Sequence, residues 1–524
     1  MAVVLTINGA STEAAPGVSL FDCAERIGVR VPTSCQKQGK CKECIVEVTG
    51  GMDCLSALGD AERHLGGVFR LSCSTKVAAF NGTVTCHTMR RGHMRVEDYG
   101  ARPSGLPPTF RPARAGHGIA MDLGTTTIVL RLYNLATGEL VATASFENPQ
   151  RFGGSDVMAR IHYDTTHAGK LLRRTLAGYL RHAIEEFPVS PVEIREMVVV
   201  GNSTMRDLFF RQSVYSIGQS PYRSITEIEM AEGKRACTSL IETGRRCLIP
   251  LHPEARVYGA PIISGHVGAD AAACMLAVDV AHEDRLVAIM DIGTNTELIL
   301  GNRHRILAAS CPAGPAFEGG AIVCGMPALD GAIEAVHIED DGTFQVTTIG
   351  GCEPTGICGS GLIALLGELL RTGRMNERGR FEHDVHRIDL APGVYFLESD
   401  VNELAQAKGA NAAGVQVICD QYGVSFDDIE VFYLAGGFGR HVDIDAAVGI
   451  GLIPSIPKSR IVQIGNAAIE GASMALLSPD KRRELEETVL RVEHCRLETH
   501  PRFFDFFVDG CLFQPAESAY GMAG

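Results

Sequence analysis

LVAIMDIGTNTE, residues 286–297, decides how the chain is read. An apolar strand over 287–290 runs into Asp291, Gly293 and the short polar residues Thr294, Asn295 and Thr296. This is the chemistry of a turn that holds phosphate. Glycine lets backbone N–H groups come close to an anion, and small hydroxyl or amide side chains add donors without bulk. A carboxylate beside the turn suits a divalent cation, directly or through water. A near copy, GIAMDLGTTTIV, spans 118–129 and supplies Asp122, Gly124, Thr125, Thr126 and Thr127. Asp before glycine is common in ordinary turns, so either stretch alone has a bland reading. Together they predict two similar lobes with a nucleotide between them.

Composition bounds the remainder. A chain of 524 residues predicts roughly three or four domains. Hydrophobic content of 45% and charged content of 21% fit a globular protein. No apolar run approaches the ~20 residues that span a bilayer, and MAVVLTINGA lacks a basic signal-peptide start. The expectation is therefore a cytoplasmic protein with no membrane partner. A net charge of −14 argues against nucleic acid as a partner. Of 17 cysteines, seven fall within the first 86 residues. Scattered single cysteines are ordinary small core residues, but the early cluster needs its own account.

In that cluster VVLTI alternates as a strand, a turn at Asn8 and Gly9 follows, and SLFDCAERIGV reads as a short helix. Then PTSCQKQGKCKEC sets Cys35, Cys41 and Cys44 at C-x5-C-x2-C, and Cys73 follows the strand IVEV at a distance. Three thiolates in one loop and a fourth across the domain suit a [2Fe-2S] cluster. Two other readings compete. Structural zinc usually pairs one C-x2-C with a second, and here the far half is a lone cysteine. A C-x2-C dithiol wants a helix after it, and IVEV is a strand. Cys23, Cys54 and Cys86 stand outside the pattern and read as packing. Lys37, Lys40 and Lys42 interleave with the ligands, as a solvated rim or as a docking face for an acidic partner. The constellation resembles plant and adrenodoxin-type ferredoxins over about 85 residues, which implies their β-grasp (α+β) fold.

Residues 91–117, with Pro103, Pro107, Pro108 and Pro112, lack apolar periodicity and predict an extended tether between a redox module and a nucleotide module. Beyond it, strand, phosphate turn, strand, TG turn and strand open an RNase H-like lobe. VVVGNSTM (198–205) and VQIGNAAIE (462–470) share a strand, Gly-Asn, helix grammar. ASCPAGPAFEGGAI (309–322), GICGSGLIALLGELL (356–370) and VFYLAGGFGRHV (431–442) follow the second turn. In the last, Gly436, Gly437, Phe438 and Gly439 break a strand where backbone must lie flat against a ligand such as adenosine. Gly359-Ser360-Gly361 fits G-x-G-x-x-A but follows no strand, so the stretch reads as a helix start beside ATP rather than a dinucleotide fold. No glycine-lysine pair is followed by Ser or Thr, which excludes a P-loop.

These motifs resemble the acetate and sugar kinase, Hsp70 and actin superfamily. Their order behind a ferredoxin resembles the ATP-dependent reductive activators of corrinoid-dependent methyltransferases. The fold this implies is multidomain: a β-grasp ferredoxin joined to an α/β, RNase H-like, actin/Hsp70-type two-lobed domain. The expected boundaries are 1–90 for the ferredoxin, 91–117 for the linker, 118–210 for the first lobe and 211–524 for the nucleotide domain. The implied activity is an ATP-hydrolysing electron transfer from the cluster to Co(II) cobamide, restoring Co(I) for methyl transfer. A small-molecule kinase or a nucleotide-switched electron carrier fused to a ferredoxin are the alternatives. The implied cofactors are a [2Fe-2S] cluster on Cys35, Cys41, Cys44 and Cys73, ATP, and Mg²⁺ at the turns of Asp122 and Asp291. Gly314 and its loop, and the Gly436–Gly439 loop, would close on nucleotide, with Glu318 either orienting water or capping a helix. The implied partners are a corrinoid protein or methyltransferase, an upstream low-potential electron donor and a second copy in a homodimer. The resemblance also assigns the first lobe to dimer or partner contact, so Asp291 is expected to touch nucleotide more directly than Asp122.

Overall fold

The computed structural model describes residues 2–90, 106, 114–437 and 439–519. The expected tether falls largely outside them, except for Leu106, which is buried, and residues 114–117.

The N-terminal unit is a mixed sheet with β1 (Val3–Ile7), β2 (Ala10–Ala14), helix α1 (Leu20–Arg26), β3 (Ile45–Gly50), β4 (Phe69–Leu71) and β5 (Gly82–His87). Strand order is β2-β1-β5-β3-β4, with β1 parallel to β5. Alternation drives β1 as expected: Val3, Leu5 and Ile7 are buried while Val4 is exposed. Ser19 caps α1 by accepting from the N–H of Asp22 at 3.1 Å. Cys23 and Cys86 lie in the core and Cys54 is buried, which is the packing role read from their positions.

The first lobe opens with the antiparallel meander β6 (His117–Leu123), β7 (Thr127–Asn134) and β8 (Leu140–Glu147). Helices α2 (Val157–Thr166) and α3 (Leu171–Glu185) follow, then β9 (Ile194–Val200), α4 (Ser203–Phe209), α5 (Ile225–Ala231), β10 (Leu240–Thr243), α6 (Gly244–Cys247), β11 (Arg256–Gly259) and α7 (Ala269–Ala277). Its sheet runs β10-β11-β9-β6-β7-β8. The expected boundary at residue 210 falls inside this sheet, because LIET and RVYG are four-residue strands too short to alternate visibly.

The second lobe repeats the plan with β12 (Val287–Ile292), β13 (Thr296–Gly301) and β14 (Ile306–Cys311). An insertion adds β15 (Ala332–Ile338), β16 (Phe344–Thr348), β17 (Gly356–Ile357), α8 (Gly359–Arg371), β18 (Arg387–Ala391) and β19 (Val394–Leu397). The 25-residue α9 (Glu398–Tyr422), β20 (Val431–Ala435), α10 (Ile444–Gly449), β21 (Ile461–Gly465), α11 (Ala467–Leu477), α12 (Pro479–Val489), β22 (Val492–His494) and α13 (Phe503–Gly510) complete it. Order β21-β20-β12-β13-β14-β22 puts β12 where β6 stands in the first sheet, each antiparallel to the next strand and parallel to a later one. The Gly-Asn repeat does not follow this symmetry: β9 corresponds to β20, whereas the second Gly-Asn closes β21. Helix α11 crosses from the second lobe to pack on α7, β6 and β9 of the first. A Cβ on Gly471 would lie 2.0 Å from the carbonyl oxygen of Ala273, so the two helices touch backbone to backbone. Among the described residues no helix is long and apolar enough to cross a membrane.

A tether alone would leave the ferredoxin unit separate, yet its core is continuous with that of the first lobe. Met89 and the strand residues Ile45 and Val48 share one apolar cluster with Leu172, Leu176 and Tyr179 of α3. Arg151 pairs with Glu47 at 3.3 Å, and Arg30 and Arg90 both pair with Glu186, at 3.2 and 2.6 Å.

Candidate cluster and nucleotide sites

The loop between α1 and β3 winds through left-handed residues Gln36, Lys37, Gly39 and Lys42, which turns its N–H groups inward. The N–H groups of Gln38, Lys40 and Cys41 point at the Cys35 sulfur. Burial opposes ionisation there, but these donors and the Cys41 thiol carry the Cys35 pKa down to about 7. Cys44 donates its S–H to Cys73 at 3.3 Å. That bond brings the Cys73 pKa down to about 6 and pushes that of Cys44 up. Gly39 is required by its positive φ and by space, since a Cβ would sit 3.1 Å from Ser74 Oγ and 3.2 Å from Ala61 Cβ. Two thiol pairs, Cys35 with Cys41 and Cys44 with Cys73, with three of the four on a loop whose N–H groups face a sulfur, fit a [2Fe-2S] cluster. Of the interleaved lysines, Lys37 is engaged by Asp22 and Glu25 at 2.7 and 2.5 Å, and Lys42 donates to the carbonyl of Ala61 at 2.5 Å. Lys37 and Lys40 are both exposed and Lys42 is half-buried, and of the two exposed lysines Lys37 is held in ion pairs.

Between the lobes lies a cleft of about 200 Å³ onto which both phosphate-type turns open. The expected ranking of Asp291 over Asp122 is not visible in its walls: both aspartates line it, with Gly124, Thr125 and Thr126 on one side and Gly293, Thr294 and Asn295 on the other. The turns touch. Thr126 Oγ1 lies 2.8 Å from Thr294 Oγ1, and both hydroxyls donate to Glu318, Thr126 at 3.0 Å. Glu318 thus stands in the cleft as a clasp between lobes. Gly359, Gly436 and Gly437 also line the cleft. Gly436 has φ 115°, and a Cβ on it would meet the Ile292 carbonyl oxygen at 2.4 Å.

Two expected residues stand elsewhere. Gly314 donates its N–H to the Thr294 carbonyl at 2.9 Å but lines a separate groove against α9 and α13. Ser360 is buried in the first turn of α8, against the Cys358 thiol at 3.4 Å. Gly439 starts a short 3₁₀ turn, and Phe438 lies outside the described residues.

The sequence reading missed Asp270, Glu297, Asn202 and Asn466, all of which line the cleft. The Gly-Asn grammar was the available signal for the two asparagines: Asn202 donates to Thr125 Oγ1 at 2.8 Å, and Asn466 reaches across the lobes to Asp122 Oδ2 at 2.8 Å. Asp270 begins α7 and is tied only to its neighbour's N–H, so nothing in GHVGADAAA marks it. Burial raises the pKa of Asp122 and of Asp270 to about 7 and that of Asp291 to about 6, and lifts Glu297 and Glu318 as well. Glu297 Oε2 is buried without a hydrogen-bond partner. An all-oxygen donor set of this kind fits Mg²⁺, which keeps several waters and takes one or two carboxylates plus phosphate oxygens.

Comparison with known proteins gives three consecutive family matches. Residues 5–78 match the 2Fe-2S iron-sulfur cluster binding domain, 117–283 the RACo middle region, and 285–522 the C-terminal domain of RACo, the ASKHA domain. The corrinoid activation enzyme RamQ of Eubacterium limosum is 30% identical over 439 residues, covering 78% of this chain and 72% of that protein. The [Co(II) methylated amine-specific corrinoid protein] reductase of Methanosarcina barkeri is 25% identical over 419 residues, 75% of this chain and 76% of that one. Among solved structures, a reductive activator for corrinoid, iron-sulfur protein superposes over 100% of both chains with a TM-score of 0.71 at 24% identity, a likeness of fold.

Proposed function

The chain belongs to the family of reductive activators of corrinoid proteins, and on that premise we propose that it returns the cobalt of a partner's corrinoid from Co(II) to Co(I), driven by ATP in the interlobe cleft. The observation that carries this reading is the use of one lobe for both sites: α3 receives the cluster loop, and the turn after β6 opens on the cleft. When bound, the cluster supplies electrons to the cobalt one at a time. Cys35, Cys41, Cys44 and Cys73 hold it. Plant-type centres of this class lie at about −400 mV, and cobalt with an axial ligand is harder to reduce. Each 100 mV of uphill transfer by one electron costs about 2.3 kcal/mol, which nucleotide turnover covers.

In the cleft the hydroxyls of Thr126 and Thr294 and the N–H groups beside Gly124 and Gly293 take phosphate oxygens. Asp291 and Asp122 hold Mg²⁺ directly or through water, with Asp270 beside them. Gly436 and Gly437 let backbone approach the adenosine. Glu318, released from the threonines by phosphate, orients water at the terminal phosphate. The partner is a corrinoid protein or corrinoid-dependent methyltransferase, the electrons come from a low-potential donor, the setting is the cytoplasm, and a homodimer is the proposed assembly.

The test uses the full chain with its cluster in place, MgATP and a Co(II) corrinoid protein. ATP hydrolysis should rise on adding that protein, and the Co(I) absorbance should appear only with nucleotide. No stimulation by any candidate corrinoid protein, or phosphoryl transfer to a sugar or carboxylate instead, overturns the reading.

A further inference from the structure

The cluster loop is not enclosed by its own unit alone. Along one face of α3, Arg174 Nη2 donates to the Lys40 carbonyl, Thr175 Oγ1 to the Lys42 carbonyl and Tyr179 Oη to the Ile45 carbonyl, each at 2.9 Å. Gly178 leaves room for Glu43, since a Cβ there would sit 2.9 Å from Glu43 Cγ. Arg181 Nη1 stands 3.7 Å from Glu43 Oε2, and Ser34 donates to the other carboxylate oxygen at 2.5 Å. Two guanidinium groups of the first lobe therefore face the segment that carries Cys35, Cys41 and Cys44.

The other charges near this loop are Lys40, Lys42 and Glu43 itself, Asp22 and Glu25, which hold Lys37, and the buried Glu62–Arg70 pair. Lys37 is turned away onto Asp22 and Glu25. His64, whose pKa burial and then the Lys42 charge pull down to about 4, is neutral. Arg174 and Arg181 of α3 thus add positive charge beside the loop from outside its own unit.

An oxidised [2Fe-2S] cluster that accepts one electron goes from two ferric ions to one ferric and one ferrous and gains one negative charge, with no proton needed. Nearby cations stabilise that charge and raise the potential, while a nearby carboxylate lowers it. We propose that α3 is an electrostatic cradle for the cluster. Docked on Arg174 and Arg181, the ferredoxin unit accepts an electron more readily, and displaced from them it is the stronger reductant. The inference rests on the reading of the N-terminal unit as a [2Fe-2S] domain and not on the cobalt reaction.

The test is a dithionite titration of the cluster-loaded full chain, followed by electron paramagnetic resonance in the presence of redox mediators. Arg174→Gln should shift the midpoint to more negative potential, Arg174→Lys should stay near the wild type, and Glu43→Gln should shift it the opposite way, with the line shape of the reduced cluster unchanged throughout. An unshifted Arg174→Gln, or a Lys variant that moves as far as Gln, overturns the proposal, because loop geometry rather than charge would then set the potential. Should Glu43→Gln fail to hold a cluster, the Arg174 pair still decides. The titration contains neither ATP nor corrinoid protein, so its failure and the failure of the cobalt reaction are separate results.

Discussion

Thr126 and Thr294 meet hydroxyl to hydroxyl at 2.8 Å, although one belongs to the turn after β6 and the other to the turn after β12. Each also donates to Glu318, so the two lobes are clasped by the groups assigned to phosphate. Thr294→Val leaves the buried carboxylate one donor short, at a cost of about 1–3 kcal/mol. The nucleotide-free variant should melt below the wild type, and MgATP should narrow the gap because phosphate replaces the clasp. Equal melting temperatures without nucleotide would remove the clasp from the account.

Asp291→Ala should abolish nucleotide-dependent cobalt reduction and leave the visible spectrum of the iron–sulfur cluster intact, since Asp291 lies on the cleft and the cluster loop packs against α3. Loss of both signals together would mean that the two sites do not act as separable units. The measurement pairs the Co(I) absorbance with the cluster spectrum on one sample.

The cleft also predicts a pH dependence. Burial raises the pKa of Asp122 and Asp270 from 3.8 to about 7, and that of Asp291 to about 6. The folded protein therefore holds protons that the unfolded chain has given up. This contribution to stability is complete below about pH 4 and is lost as pH rises through 6 to 7. The nucleotide-free protein should melt at lower temperature at pH 8 than at pH 5, and Asp270→Asn should flatten that slope. A variant as steep as the wild type in a melting series from pH 5 to 8 contradicts the assignment.

Gly436→Ala tests the close approach at the end of β20. Its φ of 115° disfavours any side chain, and the added Cβ would press on the Ile292 carbonyl oxygen at 2.4 Å. A cost of about 1–3 kcal/mol is expected for the strained backbone, with weaker ATP binding by calorimetry. Gly437→Ala, with nothing within 4 Å of the new Cβ, is the control that should fold normally.

What the sequence disclosed followed from how local each signal was. Cys35, Cys41 and Cys44 share one loop, so their spacing pointed to an iron–sulfur module, and residues 5–78 match a 2Fe-2S cluster binding domain. The paired Asp-Gly turns were legible for the same reason, and the mirrored sheet orders explain why they recur. Asp270 was invisible because its neighbours Asp122 and Asp291 come from other elements, and a single acid at a helix start is ordinary. The seat of the ferredoxin on α3 was hidden too: Arg174, Thr175, Gly178 and Tyr179 form no motif in the sequence, and only the tertiary arrangement shows what they hold. The Gly-Asn repeat misled in detail, since its two copies close strands that are not equivalent.

Asn466, donating to Asp122 at 2.8 Å, belongs to a residue 344 positions further along the chain. At about 5–20 residues per second, a ribosome needs roughly 20–70 s to travel from one to the other. For most of that interval the ferredoxin unit and its seat on α3 are already synthesised, while the first phosphate turn still lacks its asparagine. The seat of the cluster loop is therefore complete on the growing chain before the nucleotide cleft can be.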